Sequence, residues 1–210
     1  CFSMLVLQDS LITGLWPGKK RIMKKFLMTA VLGMFALAGF SQVKWDAKVG
    51  MNFSNVTKYD DAKALPGFQL GVGMDYGFSE SWSLQSGLLI SSKGYKIEDV
   101  KVRPIYLDIP ILAAYKFNIS DNTKFVINAG PYLAFGLGGK AKDDNFDLKL
   151  FKSDEGDWKR FDLGIQYGIG LELSDRYLIN LTGQNGFISP VDGGDDPKNM
   201  TFTIGVGYRF

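Results

Sequence analysis

The last eleven residues, Met200-Thr201-Phe202-Thr203-Ile204-Gly205-Val206-Gly207-Tyr208-Arg209-Phe210, decide the reading of the fold. Met200, Phe202, Ile204, Val206, Tyr208 and Phe210 fall on one side of a period of two, and Thr201, Thr203, Gly205, Gly207 and Arg209 on the other. Period two is the strand period, because successive side chains of an extended chain point to opposite faces. One face of this strand is large and apolar; the other is small or polar.

The same scheme recurs toward the N-terminus. Phe161, Leu163, Ile165, Tyr167, Ile169, Leu171 and Leu173 oppose Asp162, Gly164, Gln166, Gly168, Gly170 and Glu172; Tyr177, Ile179 and Leu181 oppose Asn180, Thr182 and Gln184. Further runs carry Trp45 to Phe53, Phe68 to Phe78, Trp82 to Ile90, Ile105 to Phe117 and Phe125 to Leu137 on their apolar faces. The run through Ile105 is mixed on its second face, where Leu112 and Ala114 join Tyr106, Asp108 and Lys116. Eight alternating strands result, most near the ~9–11 residues with which a tilted strand crosses a bilayer. Pro110 and Pro131 fall inside strands, where a missing N–H breaks a ladder bond, so a bulge is expected at each.

Short turns at 79–81, 120–122 and 174–176 alternate with long polar segments at 54–66, 92–103, 139–159 and 185–199. Membrane barrels show this rhythm of periplasmic turns and extracellular loops. A soluble barrel is the competing reading, and the second face separates the two. A soluble barrel hydrates its outside with many charges, whereas here that face is rich in glycine: Gly71, Gly73, Gly77, Gly87, Gly130, Gly136, Gly164, Gly168, Gly170, Gly205 and Gly207. Small residues suit a narrow lumen. The large aromatics cluster at the two ends of the strands, with Trp45, Phe78, Trp82, Phe117, Phe125, Tyr177, Tyr208 and Phe210 at the short-turn ends and Phe53, Phe68, Phe135, Phe161 and Phe202 at the other, as in interfacial girdles. The fold class expected is therefore all-β: an eight-stranded antiparallel up-and-down transmembrane β-barrel.

Composition excludes several chemistries. Histidine is absent and Cys1 is the single cysteine, so no His base, His-ligated metal, disulfide or cysteine-rich metal site is available. The chain of 210 residues carries 24 basic and 22 acidic side chains, a net +2 that does not suggest a nucleic-acid partner. Residues 23–41 have the parts of a secretory signal peptide: Lys24 and Lys25, an apolar run from Phe26, then Gly39 and Ser41, with cleavage expected after Ser41. The apolar run is short for the ~20 residues of a spanning helix. Residues 1–22 precede Met23 and read as an upstream extension outside the fold, leaving 42–210 as the barrel domain. Without residues 1–42, which hold five bases and one acid, 19 bases face 21 acids, a balance of −2.

Five motifs carry a family resemblance: Lys48-Val49-Gly50-Met51-Asn52-Phe53-Ser54-Asn55, Tyr106-Leu107-Asp108-Ile109-Pro110-Ile111-Leu112, Ala129-Gly130-Pro131-Tyr132-Leu133, Phe161-Asp162-Leu163-Gly164 with Gly168-Ile169-Gly170, and the terminal Gly205-Val206-Gly207-Tyr208-Arg209-Phe210. In this order they resemble the PorT-like outer-membrane β-barrels common in Bacteroidota, which share the eight-stranded plan of OmpA- and OmpX-like barrels. The resemblance spans residues 43–210 and implies residence in the outer membrane. The family's namesake is linked to a secretion and gliding apparatus, which makes membership of such an apparatus one functional expectation. The main expectation is a non-enzymatic barrel with a structural or loop-mediated role, without cofactor, in contact with outer-membrane lipid and lipopolysaccharide, with the barrel-assembly machinery and with protein partners at its long loops.

Six inward charges cluster near the short-turn end: Asp46, Lys48, Asp75, Lys116, Glu172 and Arg209. In a low-dielectric lumen they must pair, so a salt-bridge plug is expected, with an ion or proton path as the alternative. Phe202, Ile204, Val206, Tyr208 and Phe210 look like the C-terminal signal read by the barrel-assembly machinery. Asp108 and Asp162 are the one carboxylate pair worth testing for catalysis, the enzymatic alternative; a periplasmic lipocalin-like carrier is another. The segment 143–159 mixes acids and lysines with Phe146, Leu148, Leu150, Phe151 and Trp158; it reads most simply as a solvated loop, with an extension of the hairpin or an interaction patch as the alternatives. Asp192-Gly193-Gly194-Asp195-Asp196 has hard oxygen ligands in no defined calcium-loop spacing and reads as a flexible turn.

Overall fold

A computed structural model of the chain describes residues 43–56, 63–97, 100–142, 147–149, 159–189 and 198–210. The leader, residues 143–146 and 150–158 of the third long segment, and the segment 192–196 lie outside them. The strands are β1 (Val43–Val56), β2 (Lys63–Gly77), β3 (Trp82–Ser92), β4 (Gly94–Ile97), β5 (Val100–Ser120), β6 (Thr123–Lys142), β7 (Asp147–Lys149), β8 (Phe161–Leu173), β9 (Tyr177–Gly186) and β10 (Asn199–Arg209). β4 continues β3 past Lys93, since both pair with β2 and β5, and β7 pairs with β6 beyond β8. The ten segments thus make eight barrel strands, each antiparallel to its sequence neighbours. β1 pairs with β10 from Asp46↔Arg209 to Val56↔Asn199, closing the barrel. Along the apolar wall closure leaves no open sheet edge, the condition for a β-structure in lipid.

The alternation sorts as the sequence predicts. Val49, Val72, Ile127, Ile169, Ile179, Ile204 and Val206 are exposed on the outer wall, while Asn52, Ser91, Asp108, Asp162, Gln184 and Thr203 are buried inside. Met74 and Ile109, on outward rows, are buried. A polar interior is the reverse of what a lipocalin-like carrier needs. Aromatic rings at the short-turn end touch along the wall, Trp82 on Tyr115 at 4.9 Å and Tyr115 on Phe117 at 4.6 Å between centroids. At the other end Phe135 and Phe161 lie 5.3 Å apart.

The expected bulges at Pro110 and Pro131 are not there. β3 and β5 keep one register from Ser86↔Ile111 to Leu89↔Asp108, straight past Pro110, and β6 and β8 keep one register through Pro131↔Ile165. The missing N–H is absorbed by a local loss of ladder bonds rather than by an inserted residue, and Ser86 Oγ donates to the Pro110 carbonyl at 2.7 Å. Irregularities fall instead between Ile105 and Tyr106 and between Asn118 and Ser120. Another lies in β2, which advances four residues from Leu65↔Gly94 to Gln69↔Ser91 while its partner advances three. The long connections are also shorter than expected, because β4 and the upper parts of β5 and β6 keep pairing past the apolar wall.

Candidate functional site: the barrel lumen

Inside a closed barrel every polar group must find a partner in the wall, so the lumen is where the inward residues meet. Four of the six expected charges form one tight cluster. Lys116 Nζ lies 2.6 Å from Asp75 Oδ2 and 3.1 Å from Glu172 Oε1. Arg209 reaches the same two acids, Asp75 Oδ2 at 3.1 Å and Glu172 Oε2 at 2.9 Å. Two cations and two anions therefore alternate around a centre supplied by β2, β5, β8 and β10. The other two expected charges pair at its flank: Lys48 Nζ lies 3.4 Å from Asp46 Oδ1. A Cβ on Gly73 would collide with Asp46 and with the Lys48 stem, so glycine there is what lets both side chains lie across β2.

Uncharged amides continue the network along the axis. Gln85 donates to Asp75 at 3.2 Å and accepts from Asn128 at 2.9 Å; Gln184 donates to Gln166 at 2.9 Å. Asn52, fully buried, donates to the carbonyls of Phe68 and Ser92 at 3.1 and 3.3 Å and to Ser91 Oγ at 2.8 Å, while Thr203 donates to its Oδ1 at 2.8 Å. It thereby satisfies backbone groups freed where β2 carries its extra residue.

A second charged tier sits nearer the long-connection end and centres on Lys93, which the sequence reading passed over. At the break between β3 and β4 its side chain enters the lumen, 3.1 Å from Asp108 Oδ1, with both residues almost wholly buried. Its ammonium lies 5.3 and 4.9 Å from the ring centroids of Tyr106 and Tyr132, within cation–π range. Asp162 is held separately, by Tyr132 Oη at 3.3 Å and Asn199 Nδ2 at 3.0 Å. The two acids considered for catalysis thus each have their own structural partners. The signal for Lys93 was available: it continues the inward parity of Leu89 and Ser91 by one further step. Beside the four-charge cluster lies a cavity of about 50 Å³, lined by Asp46, Gln85, Asn128, Gln166, Thr203 and Arg209, among others.

Phe202, Ile204, Val206, Tyr208 and Phe210 all point out of the barrel and are exposed, Phe210 at 74%. The terminal strand is anchored by Arg209 N–H on the Arg176 carbonyl at 2.7 Å and Phe210 N–H on that of Trp45 at 3.0 Å.

A closed eight-stranded wall, apolar outside and ion-paired inside, defines an integral outer-membrane β-barrel protein. The chain belongs to the outer membrane protein beta-barrel domain family, whose model matches residues 36–189. Among solved structures it is similar to Neisserial surface protein A, at 12% identity over 79% of this chain and 97% of that one, with a TM-score of 0.51. It is also similar to Ail, the attachment invasion locus protein of Yersinia pestis, at 19% identity over 80% and 99%, TM-score 0.43, and to the outer membrane enzyme PagL, at 13% over 76% and 97%, TM-score 0.46. No curated protein matches the chain in sequence.

Proposed function

We propose that the protein is a non-enzymatic barrel of the outer membrane that acts through its rigid wall and its loops, not as a pore. The carrying observation is the Lys116–Asp75–Arg209–Glu172 cluster, which spans the lumen at the short-turn end. An eight-stranded barrel leaves an interior that side chains can fill, and a plug of paired charges is costly to open because each ion would lose its partner in a low-dielectric space. In planar bilayers the refolded protein is expected to give no stable conductance step; a steady, voltage-independent current would overturn the reading. A heat-modifiable shift on gels is expected to accompany folding.

Export and assembly are part of the same reading. Residues 23–41 serve as the leader, so mass spectrometry of the mature protein is expected to find Gln42 first. The outward row ending at Phe210 serves as the assembly signal, and deletion of Phe210 is expected to lower the folded fraction in cells. The finer affiliation, a PorT-like barrel of Bacteroidota attached to a secretion or gliding apparatus, is supported by the ordered motif set from Lys48 to Phe210. Loss of cargo secretion on deletion of the gene is its test, and unchanged secretion removes it.

A further inference from the structure

The outer wall does not stay apolar to its long-connection end. Beyond Ile105, β5 turns Lys101 and Arg103 to the outward side, both exposed, while the alternating Val102 and Pro104 are buried. The register sets Lys96 of β4 opposite Lys101, and Lys140 of β6, also exposed, opposite Arg103. Directly opposed residues of an antiparallel pair share a face with Cβ atoms ~4.5–5.5 Å apart. At that spacing like charges repel, and an anion laid over the face meets several cations at once.

Height identifies what that anion is. Arg103 and Lys101 stand two and four residues past Ile105, roughly 7 and 13 Å along a strand at ~3.3 Å per residue, and less along the membrane normal because the strand tilts. Phe135, Phe161 and the exposed Leu137 lie just below. The basic rows therefore begin where hydrocarbon gives way to headgroups, on the lipid-facing side of the wall. Ammonium and guanidinium groups both bind phosphate, the latter bidentately.

We propose that this ladder, centred on Lys96, Lys101, Arg103 and Lys140, binds the phosphate groups of the phosphorylated glycolipid of the outer leaflet. The proposal rests on the barrel's placement in the outer membrane with its long connections outward, and it adds a defined lipid site to that reading. The test uses the full chain refolded into phosphatidylcholine nanodiscs doped with bisphosphorylated lipid A or with its dephosphorylated form. Lipid retained per barrel is measured after detergent washing. The native protein is expected to retain the phosphorylated lipid at least tenfold over the dephosphorylated one. K96Q/K101Q/R103Q/K140Q is expected to lose that preference, and K44Q/K124Q at the opposite end to keep it. The milder K101Q/K140Q, confined to two exposed positions, gives the same contrast if the fourfold variant does not fold. Equal retention of both lipids, an unchanged preference in the folded variants, or displacement by millimolar inorganic phosphate overturns the proposal. Failure of the native chain to show heat-modifiable folding in the nanodiscs would instead strike at the membrane reading beneath it.

Discussion

Arg209, the penultimate residue, grips Glu172 of β8 with both terminal guanidinium nitrogens, each at 2.9 Å, although β9 runs between their strands. The same guanidinium donates to Asp75 of β2 at 3.1 Å. Since β10 meets β1 at the seam that closes the barrel, one side chain braces the seam from inside on both flanks. The planar fork of arginine matches a carboxylate in a way an ammonium cannot. Arg209→Met leaves Glu172 and Asp75 facing Lys116 alone and is expected to cost about 3–5 kcal/mol, the usual penalty for an orphaned buried charge. Urea unfolding in detergent, followed by tryptophan fluorescence, measures it. Adding Glu172→Gln to Arg209→Met is expected to recover part of the loss, and strict additivity would show that the two side chains do not act as a pair.

The upper tier makes a parallel claim. Lys93 is the cation on Asp108 and sits between two tyrosine rings. Lys93→Met removes the charge and keeps most of the stem, leaving Asp108 buried and uncompensated, again at about 3–5 kcal/mol. Lys93→Met with Asp108→Asn is expected to be closer to native than Lys93→Met alone. A double variant as unstable as the single one would mean that lost packing between Tyr106 and Tyr132, not lost charge, sets the cost.

The strands, their facing and the girdles were legible because all three depend on side-chain period and size, which a sequence displays directly. The turn-end charges were legible for the same reason: parity alone points Asp75, Lys116, Glu172 and Arg209 inward, and a narrow lumen leaves them little choice but each other. What parity does not carry is register. The expected bulges at Pro110 and Pro131 failed because a proline can forfeit a ladder bond without shifting its strand, whereas the extra residue in β2 falls at Pro66, Gly67 or Phe68 and is held by Asn52 from a neighbouring strand. The basic rows escaped notice because Lys96, Lys101, Arg103 and Lys140 are neighbours only once three strands are aligned.

Glycines on the lumen face have unequal roles, and the wall geometry separates them. A Cβ on Gly164 would overlap the Asn185 carbonyl and lie 2.6 Å from Tyr132 Cε1, whereas one on Gly77 would meet nothing within 4 Å. Gly164→Val is expected to destabilise by about 1–3 kcal/mol or more through overpacking against backbone that has nowhere to move. Gly77→Ala is expected to be neutral or slightly stabilising, because it restricts the unfolded chain. Both are measured by the same urea titration, and equal effects would show that chain entropy, not space, sets the need for glycine.

At the turn between β8 and β9, Ser174 and Asp175 adopt left-handed backbone angles, φ 51° and 54°, where Asp is tolerated better than most residues. The Asp175 carboxylate accepts a hydrogen bond from Lys124 Nζ at 2.9 Å and lies 3.7 Å from Lys44 Nζ. The Lys124 bond, more than the weak burial that opposes it, holds the carboxyl below its ordinary value. A depressed acid stabilises the fold fully above its unfolded value and loses that contribution as pH falls through the folded one. The turn is therefore expected to loosen only on acidification below the ordinary carboxylate range. The effect is small, because Asp175 is 59% exposed and salt screens the contact. Lys124→Gln is expected to move the Asp175 titration, read by carboxyl carbon NMR, upward toward its ordinary position, and 1 M salt to do so in part. An unmoved titration in Lys124→Gln would assign the depression to Lys44 and the turn backbone.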